Sequence, residues 1–403
     1  MITLLLCCVN QIKKKYIFFK MSVEQVGGKK AEKAEKVLDG GILEGGGQII
    51  RNATALAVLL GIPLRLQNIR AGRPNPGLQR QHSTGALLVC RDMSPGSTVQ
   101  GAELGSTELS FVPGKLTAGR FTANIKSAGS VGLLIQNALP CAIFAPGPCD
   151  FVLQGGTDTQ YAPPMDYLRH VTRPILARMG IDFDMTVLRR GFFPKGCGTV
   201  TMRTLPILSH IQPLILETRG TVARLWGRVF VSGFPREVAE VMVATATKVL
   251  RQTFPATAVP SLVIEIEEDP VPVPVSSNSA FGLLLVAETD TGCLFGGSAV
   301  ESGARGGCLS PEVVAQSAGD MLLADLLAGG CVDQHLQDQL IIFMALARGR
   351  SRVRLGSMEL HTRTAMHFAQ ELAAGATFRV IEDKKDSTFL VECDGIGFSS
   401  SQK

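Results

Sequence analysis

The chain has 403 residues, 45% hydrophobic and 19% charged, with 43 glycines and a formal net charge of +5. That length exceeds one average domain and holds enough apolar material for a large core. No apolar run reaches the roughly 20 residues that a membrane span needs, and ten cysteines without a CxxC pair argue against a zinc site and fit reduced intracellular thiols better than a disulfide framework.

In chain order, residues 1–9 are apolar but are followed by lysines without a small-residue cleavage site, so they do not read as a signal peptide. A polar, basic extension is expected to be disordered over 1–36, with the fold starting near Val37. A strand over 37–44 ends in Gly45-Gly46-Gly47, and a helix over 48–60 carries Ile49, Ala53, Leu56 and Leu60 on one face. A strand over 62–69, a helix over 76–91 and strands over 97–104 and 108–112 follow.

The order then recurs. A strand over 121–125, a helix over 131–139, a strand over 142–144, a helix over 165–179 and strands over 183–188 and 198–203 make a second round. A third starts at 336–339, with a helix over 340–347, a strand over 352–360, a helix beginning after Thr362 and strands over 377–381 and 389–393. The first helices share a pattern, ATALAVLLG, LLIQNALP and IIFMALARG. Three copies of a two-helix, roughly four-stranded α/β unit are therefore expected. The segment 217–331 interrupts the third copy with its own β-α-β-β-α order and a Pro/Ser/Asn-rich stretch over 270–278. It reads as an inserted domain, leaving 37–216 and 332–398 as the three-repeat body and 399–403 as a tail.

Positive charge is unevenly placed. Five arginines and no acid lie between Arg65 and Arg91, and Arg348, Arg350, Arg352 and Arg354 form a second acid-free run. Such runs suit a polyanion or a solvated face equally. Gly45-Gly46-Gly47 before a helix suits phosphate or a bare tight turn. Glu44 beside it is a candidate metal carboxylate, and Arg51 one turn on could reach the same phosphates. Arg70 and Arg73, with Gln81 and His82, bring charge and polar groups to a strand–helix junction, where anion binding is the better reading. Asp338-Gln339 opens an apolar helix and suits a cap as well as a site. His361, expected at the C-terminal end of a strand just before a helix, lies on the edge where α/β proteins collect ligands.

Read together, the stretches 38–51, 69–82, 126–130, 155–158, 193–196, 338–339 and Leu360-His361-Thr362 occur in one order, and the series closely resembles RNA 3′-terminal phosphate cyclase. The resemblance covers about residues 37–398. It implies three repeats like the C-terminal domain of translation initiation factor 3 plus a small inserted domain. It also implies ATP and Mg²⁺ (or Mn²⁺), an RNA with a 3′-phosphate end as substrate, and a histidine nucleophile at His361. On the same ground Glu44 would hold the metal, and Arg51, Arg70, Arg73, Gln81 and His82 would face phosphates. Gln136, His335, Asp338 and Gln339 would serve the nucleotide, and Pro163 and Tyr167 the adenine pocket. Two departures stand out: His335 stands where the family often has tyrosine, and Cys197 interrupts a glycine run. The family implies the nucleus, with the cytoplasm as a second compartment; no membrane and no stable protein partner are expected. The runner-up is a non-catalytic cyclase-like protein of ribosomal RNA maturation, which lacks the nucleophilic histidine. A metabolic transferase on a similar fold would not require Leu-His-Thr.

Overall fold

The computed structural model describes residues 33–268, 279–302 and 309–399. Nearly all of the extension expected over 1–36, the stretch over 270–278, Cys7, Cys8 and Cys308, and residues 400–403 lie outside the described residues. From Glu35 on, the chain forms one compact unit.

One strand plan is used three times. In the first, β1 (Lys36–Asp39) pairs in parallel with β2 (Leu64–Gln67), which runs antiparallel to β4 (Leu109–Val112), itself antiparallel to β3 (Thr98–Gln100). Between β1 and β2 lies α1 (Gly47–Leu60), and between β2 and β3 lies α2 (Arg80–Leu87), continued by a π-helical turn over Leu88–Asp92. The apolar ATALAVLL run makes α1 buried nearly all round, as a central helix must be. It stops at Gly61, whose left-handed backbone (φ 62°) lets its amide close the last turn.

The second plan repeats this order. Strand β5 (Gly119–Asn124) is parallel to β6 (Cys149–Gly155), which is antiparallel to β8 (Gly198–Thr204), itself antiparallel to β7 (Phe183–Arg189). Helix α3 (Val131–Ala142) lies between β5 and β6, and α4 (Met165–Tyr167) runs through a π-helical turn (Leu168–Thr172) into α5 (Arg173–Ala177). The strand expected over 142–144 is not one. Those apolar residues finish α3 and cap it at Ile143, because a short apolar run has no period that separates a buried helix end from a buried strand.

The third plan begins earlier than expected, at the two-residue β9 (Ile215–Leu216). The chain then leaves to build a fourth sheet, ordered β11-β10-β12-β13, from β10 (Val222–Ser232), β11 (Leu262–Glu268), β12 (Ala280–Thr289) and β13 (Leu294–Ser302). Helix α6 (Arg236–Thr253) falls between β10 and β11, and α7 (Pro311–Leu327) follows β13. The sequence reading missed β13. Its interior Gly296 and Gly297 depress strand propensity, yet side chains there would run into the Tyr167 ring and the α7 backbone. After α8 (Gln334–Leu346) the chain returns as β14 (Arg348–Leu355), parallel to β9. Helix α9 (Leu360–Leu372) and strands β15 (Thr377–Asp383) and β16 (Thr388–Ile396) complete the plan.

Both third-plan helices start upstream of their expected N-termini. Asp333 caps α8 by accepting from the amides of His335 (3.0 Å) and Leu336 (2.9 Å), so Asp338 lies inside the helix and is not its cap. Strand β14 ends at Leu355, and α9 is capped at Glu359, which places His361 in its first turn. Helices α1, α3, α8 and α9 pack on one another, and all four sheets contribute to one continuous apolar core. The arginine run of β14 is a ladder of ion pairs. Arg350 meets Asp394 at 2.7 Å, Arg352 meets Glu217 at 2.8 Å and Glu392 at 3.0 Å, and Arg354 meets Asp383 at 3.4 Å, so three of the four arginines expected to face a polyanion or solvent are paired with acids. Among the described residues no helix is long and apolar enough to cross a membrane.

Candidate functional site

A cavity of about 860 Å³ opens where the N-termini of α1, α2, α8 and α9 converge. Its wall carries Glu44, Arg51, Arg70, Arg73, Gln81, His82, Gln136, Pro163, His335, Asp338, Gln339 and His361, residues up to 317 positions apart in the chain (361 minus 44). Of the residues expected to form the site, only Tyr167 is absent from it. Its ring is fully buried behind His335, edge-on at 6.0 Å, and its hydroxyl donates to Asp333 at 2.5 Å. Asp333 also accepts from the amide of Gly296 on β13 at 2.8 Å. One carboxylate thus ties α4, β13 and the start of α8 together and aims His335, Asp338 and Gln339.

The α1 end of the cavity is built by close approach. Gly46 and Gly47 have no side chains because the Glu44 carboxylate and the His82 ring lie directly against their backbone. With no side-chain cap and no acid in its first turn, α1 presents bare amides and a positive dipole end, a setting that favours an anion. The Glu44 side chain is 7% exposed and is gripped by Arg73 through Oε1, while buried Oε2 has no hydrogen-bond partner among the described residues. Arg73 also donates to the Glu44 carbonyl at 3.0 Å. Arg70, in a left-handed conformation (φ 55°), donates to the carbonyls of Asn75 (2.5 Å) and Gly77 (2.9 Å), holding the loop that leads into α2.

His82 is neutral. Burial, with Arg51 and Arg70 nearby, pulls its pKa to about 3. Its Nδ1 accepts from the Gln79 amide (3.2 Å), which leaves the proton on Nε2, the nitrogen against Gly47, as a donor. Gln81 Oε1 accepts from the Ser130 amide at 3.0 Å and so fixes α2 to the start of α3. Gln48 donates to Asp338, burial pulls Arg51 down to about 10, and it remains cationic at neutral pH. Burial raises the Asp338 carboxyl, with the nearby Arg51 charge acting against it, and the exposed His361 imidazole stands on the wall of the same cavity. Two threonines hold α9 in position. Thr362 donates to Gln337 at 2.8 Å, and Thr364 accepts from the Glu44 amide at 3.2 Å.

A scan against family models matches residues 42–380 to RNA 3′-terminal phosphate cyclase. The chain belongs to that family. A Hyperthermus butylicus protein named RNA 3′-terminal phosphate cyclase is 40% identical, across 91% of this chain and 99% of its own length. A Drosophila melanogaster protein of the same name is 35% identical across 90% and 98%. A Dictyostelium discoideum protein named "Probable RNA 3'-terminal phosphate cyclase" is 38% identical across 97% and 90%.

The cyclase fold shows wall residues to which the sequence reading gave no role. Asp158 and Asp166 face the cavity and converge on Arg190, and Gln48 and Glu359 complete the rim. Asp333 was legible, since an acid immediately before a helix is a cap pattern. Arg190 was not, because nothing in its neighbours marks it as buried. Asp325 on α7 accepts from the Gln334 amide (3.1 Å), and its other oxygen is buried without a partner among the described residues. Burial and the neighbouring Asp333 charge push its carboxyl up to about 7. An unfolded aspartate titrates near 3.9, so the folded state alone holds this proton between about pH 4 and 7. Stability from this group is therefore full below about pH 4 and falls as pH rises toward 7. Asp325→Asn is expected to flatten that decline in a series of melting curves; an unchanged slope would refute the assignment.

Proposed function

We propose that this protein converts an RNA 3′-terminal phosphate into a 2′,3′-cyclic phosphate with ATP as second substrate, a ligase-class reaction. The observation that carries the reading is one cavity bringing together an exposed imidazole, bare α1 amides and an unpartnered carboxylate oxygen. The relatives' names point the same way. The His361 imidazole attacks the α-phosphorus of ATP and pyrophosphate departs, leaving a histidine–AMP phosphoramidate. An oxygen of the RNA 3′-phosphate then takes the AMP and releases His361. The adjacent 2′-hydroxyl attacks the activated 3′-phosphorus, its proton passes to solvent, and AMP leaves.

Arg51 and the α1 amides suit the charge of the departing phosphates, and the Nε2–H of His82 supplies a neutral donor beside them. The side chains of Gln136, Pro163 and His335 offer the nucleotide a wall, with Tyr167 supporting it from behind. No group of three metal-ligating side chains occurs among the described residues. A Mg²⁺ (or Mn²⁺) ion fits there in the usual way, on one carboxylate, Glu44, completed by substrate phosphates and water, and it would supply charge neutralisation to the leaving pyrophosphate. In this reading residues 217–331 are a domain inserted in the third repeat, and the protein works in the nucleus.

Three substrates test it in the presence of ATP and Mg²⁺: an RNA with a 3′-phosphate, the same RNA with a 2′-deoxy terminal sugar, and a 3′-hydroxyl control. Only the first is expected to yield a phosphatase-resistant end. If none does, the protein is an RNA-binding relative without catalysis.

A further inference from the structure

Strand β10 alternates its side chains, so Arg224, Trp226, Arg228 and Phe230 stand on one face, about 6.6 Å apart from one to the next. Phe230 lines the large cavity. The other three line a second hollow of about 280 Å³ with His170, Val263 and Glu265. A single strand face therefore leads out of the candidate site onto the surface. The two hollows also share an ion network, because Glu267 accepts from Arg190 at 2.6 Å on the cavity side and meets Arg228 at 3.5 Å on the groove side.

The groove combines aromatic and cationic groups at close range. Trp226 meets His170 edge to face at 5.0 Å, and the Arg224 guanidinium lies 5.7 Å from the indole. Arg228 approaches the His170 ring at 3.4 Å. The Arg224 side chain is 58% exposed, and its only ion pair among the described residues, to Glu288 at 3.5 Å, is a surface pair of little energy. These exposed contacts are weak, so a base can displace the guanidinium from the ring face. A stacking surface flanked by arginines is the arrangement that holds single-stranded nucleic acid without reading its sequence.

We propose that this groove binds the single-stranded RNA upstream of the reacting terminus, stacking a base on Trp226 while Arg224 and Arg228 take its phosphates. The proposal rests on the cyclase reading of the cavity, because continuity along β10 is what identifies the occupant as the same RNA. The carboxylate of Glu265, set across from Arg228 in the strand register, opposes the charge of the guest and weakens its hold.

Trp226 is the only tryptophan in the chain, so its fluorescence reports on the groove alone. Titration with a twelve-nucleotide RNA ending in a 3′-hydroxyl, which cannot react, is expected to quench it saturably, and less as salt rises. Trp226→Ala should raise KM about tenfold for a twelve-nucleotide 3′-phosphate while leaving KM for a dinucleotide 3′-phosphate and for ATP unchanged. Should that variant fold poorly, Arg224→Ala serves, with a several-fold rise for the long substrate only and a shallower salt dependence. Glu265→Gln should act in the opposite sense and tighten binding. Quenching by RNA without any cyclised end would uphold the groove and remove the catalytic reading. Cyclisation with a KM independent of RNA length and of residues 224 and 226, and with unquenched Trp226, would overturn the groove, leave the catalytic reading intact and assign this face to a protein.

Discussion

His361→Ala is expected to eliminate the acid-labile AMP adduct formed with α-labelled ATP and Mg²⁺, and to lower cyclisation by at least about three orders of magnitude, the scale on which loss of a nucleophile acts. Folding should be nearly unaffected. The imidazole is exposed, whereas the bonds that place α9 come from its neighbours, Thr362 to Gln337 and Thr364 to the Glu44 amide. A surface truncation of this kind shifts stability by no more than about 0.5 kcal/mol. His367 is the internal control. It lies on the same helix, exposed and paired with Glu371 at 3.6 Å, and does not line the cavity. His367→Ala should label normally; equal loss in the two variants would mean that the helix, and not one imidazole, was damaged. An undiminished adduct in His361→Ala would remove His361 as the nucleophile.

Arg190→Met is expected to destabilise the protein by about 3–5 kcal/mol, the cost of leaving buried charges without their partner. Arg190 has a side chain only 6% exposed and serves three carboxylates, Asp158 (3.1 Å), Asp166 (2.6 Å) and Glu267 (2.6 Å), with its guanidinium 4.4 Å from the centre of the Phe230 ring. Burial opposes its charge, but the three carboxylates outweigh that and hold its pKa well above the ordinary range. Burial likewise raises Asp158, while for Asp166 the Arg190 charge overcomes burial and keeps the carboxyl below its usual value. Without the arginine, burial is left to raise both carboxyls above their ordinary range. The loss should therefore shrink as pH is lowered, because protonation removes the uncompensated charge. Urea unfolding at two pH values checks both parts. A loss below about 1 kcal/mol, or one that grows toward low pH, would show that the cluster is not held by charge. Arg190 follows β7, and Glu267 lies on β11, so the same variant should loosen the fourth sheet from the second repeat and raise KM for the RNA.

Much of this protein was readable from the order of its residues. Period and punctuation located α1, α6 and α7, because each is a long amphipathic or apolar run bounded by a glycine, proline or serine. The similarity of three helix patterns gave the repeat before any sheet was seen. The resemblance carried by short motifs gave roles to twelve residues now found on the cavity wall, from Glu44 to His361, and gave none to Asp158, Asp166, Gln48 or Glu359, which share it.

The tertiary structure decided the remainder, and in each case a long-range contact overrode local preference. Two residues of β9 become a strand only because β14, more than 130 positions later, supplies their hydrogen bonds. Gly296 and Gly297 belong in β13 because Tyr167 and α7 leave no room for a side chain. Arg350, Arg352 and Arg354 of β14, which suited a polyanion or a solvated face equally when read along the chain, are paired because acids on β16, β15 and at Glu217 come to lie beside them. Tyr167 sits behind the cavity and not on it because Asp333, buried 166 residues away, offers its hydroxyl a partner. Sequence determines what is local: periodicity, caps and the chemical identity of a site. Which charges meet, which ring faces the ligand and which glycine is indispensable depend on residues brought together only by folding, and no window along the chain contains both members of those pairs.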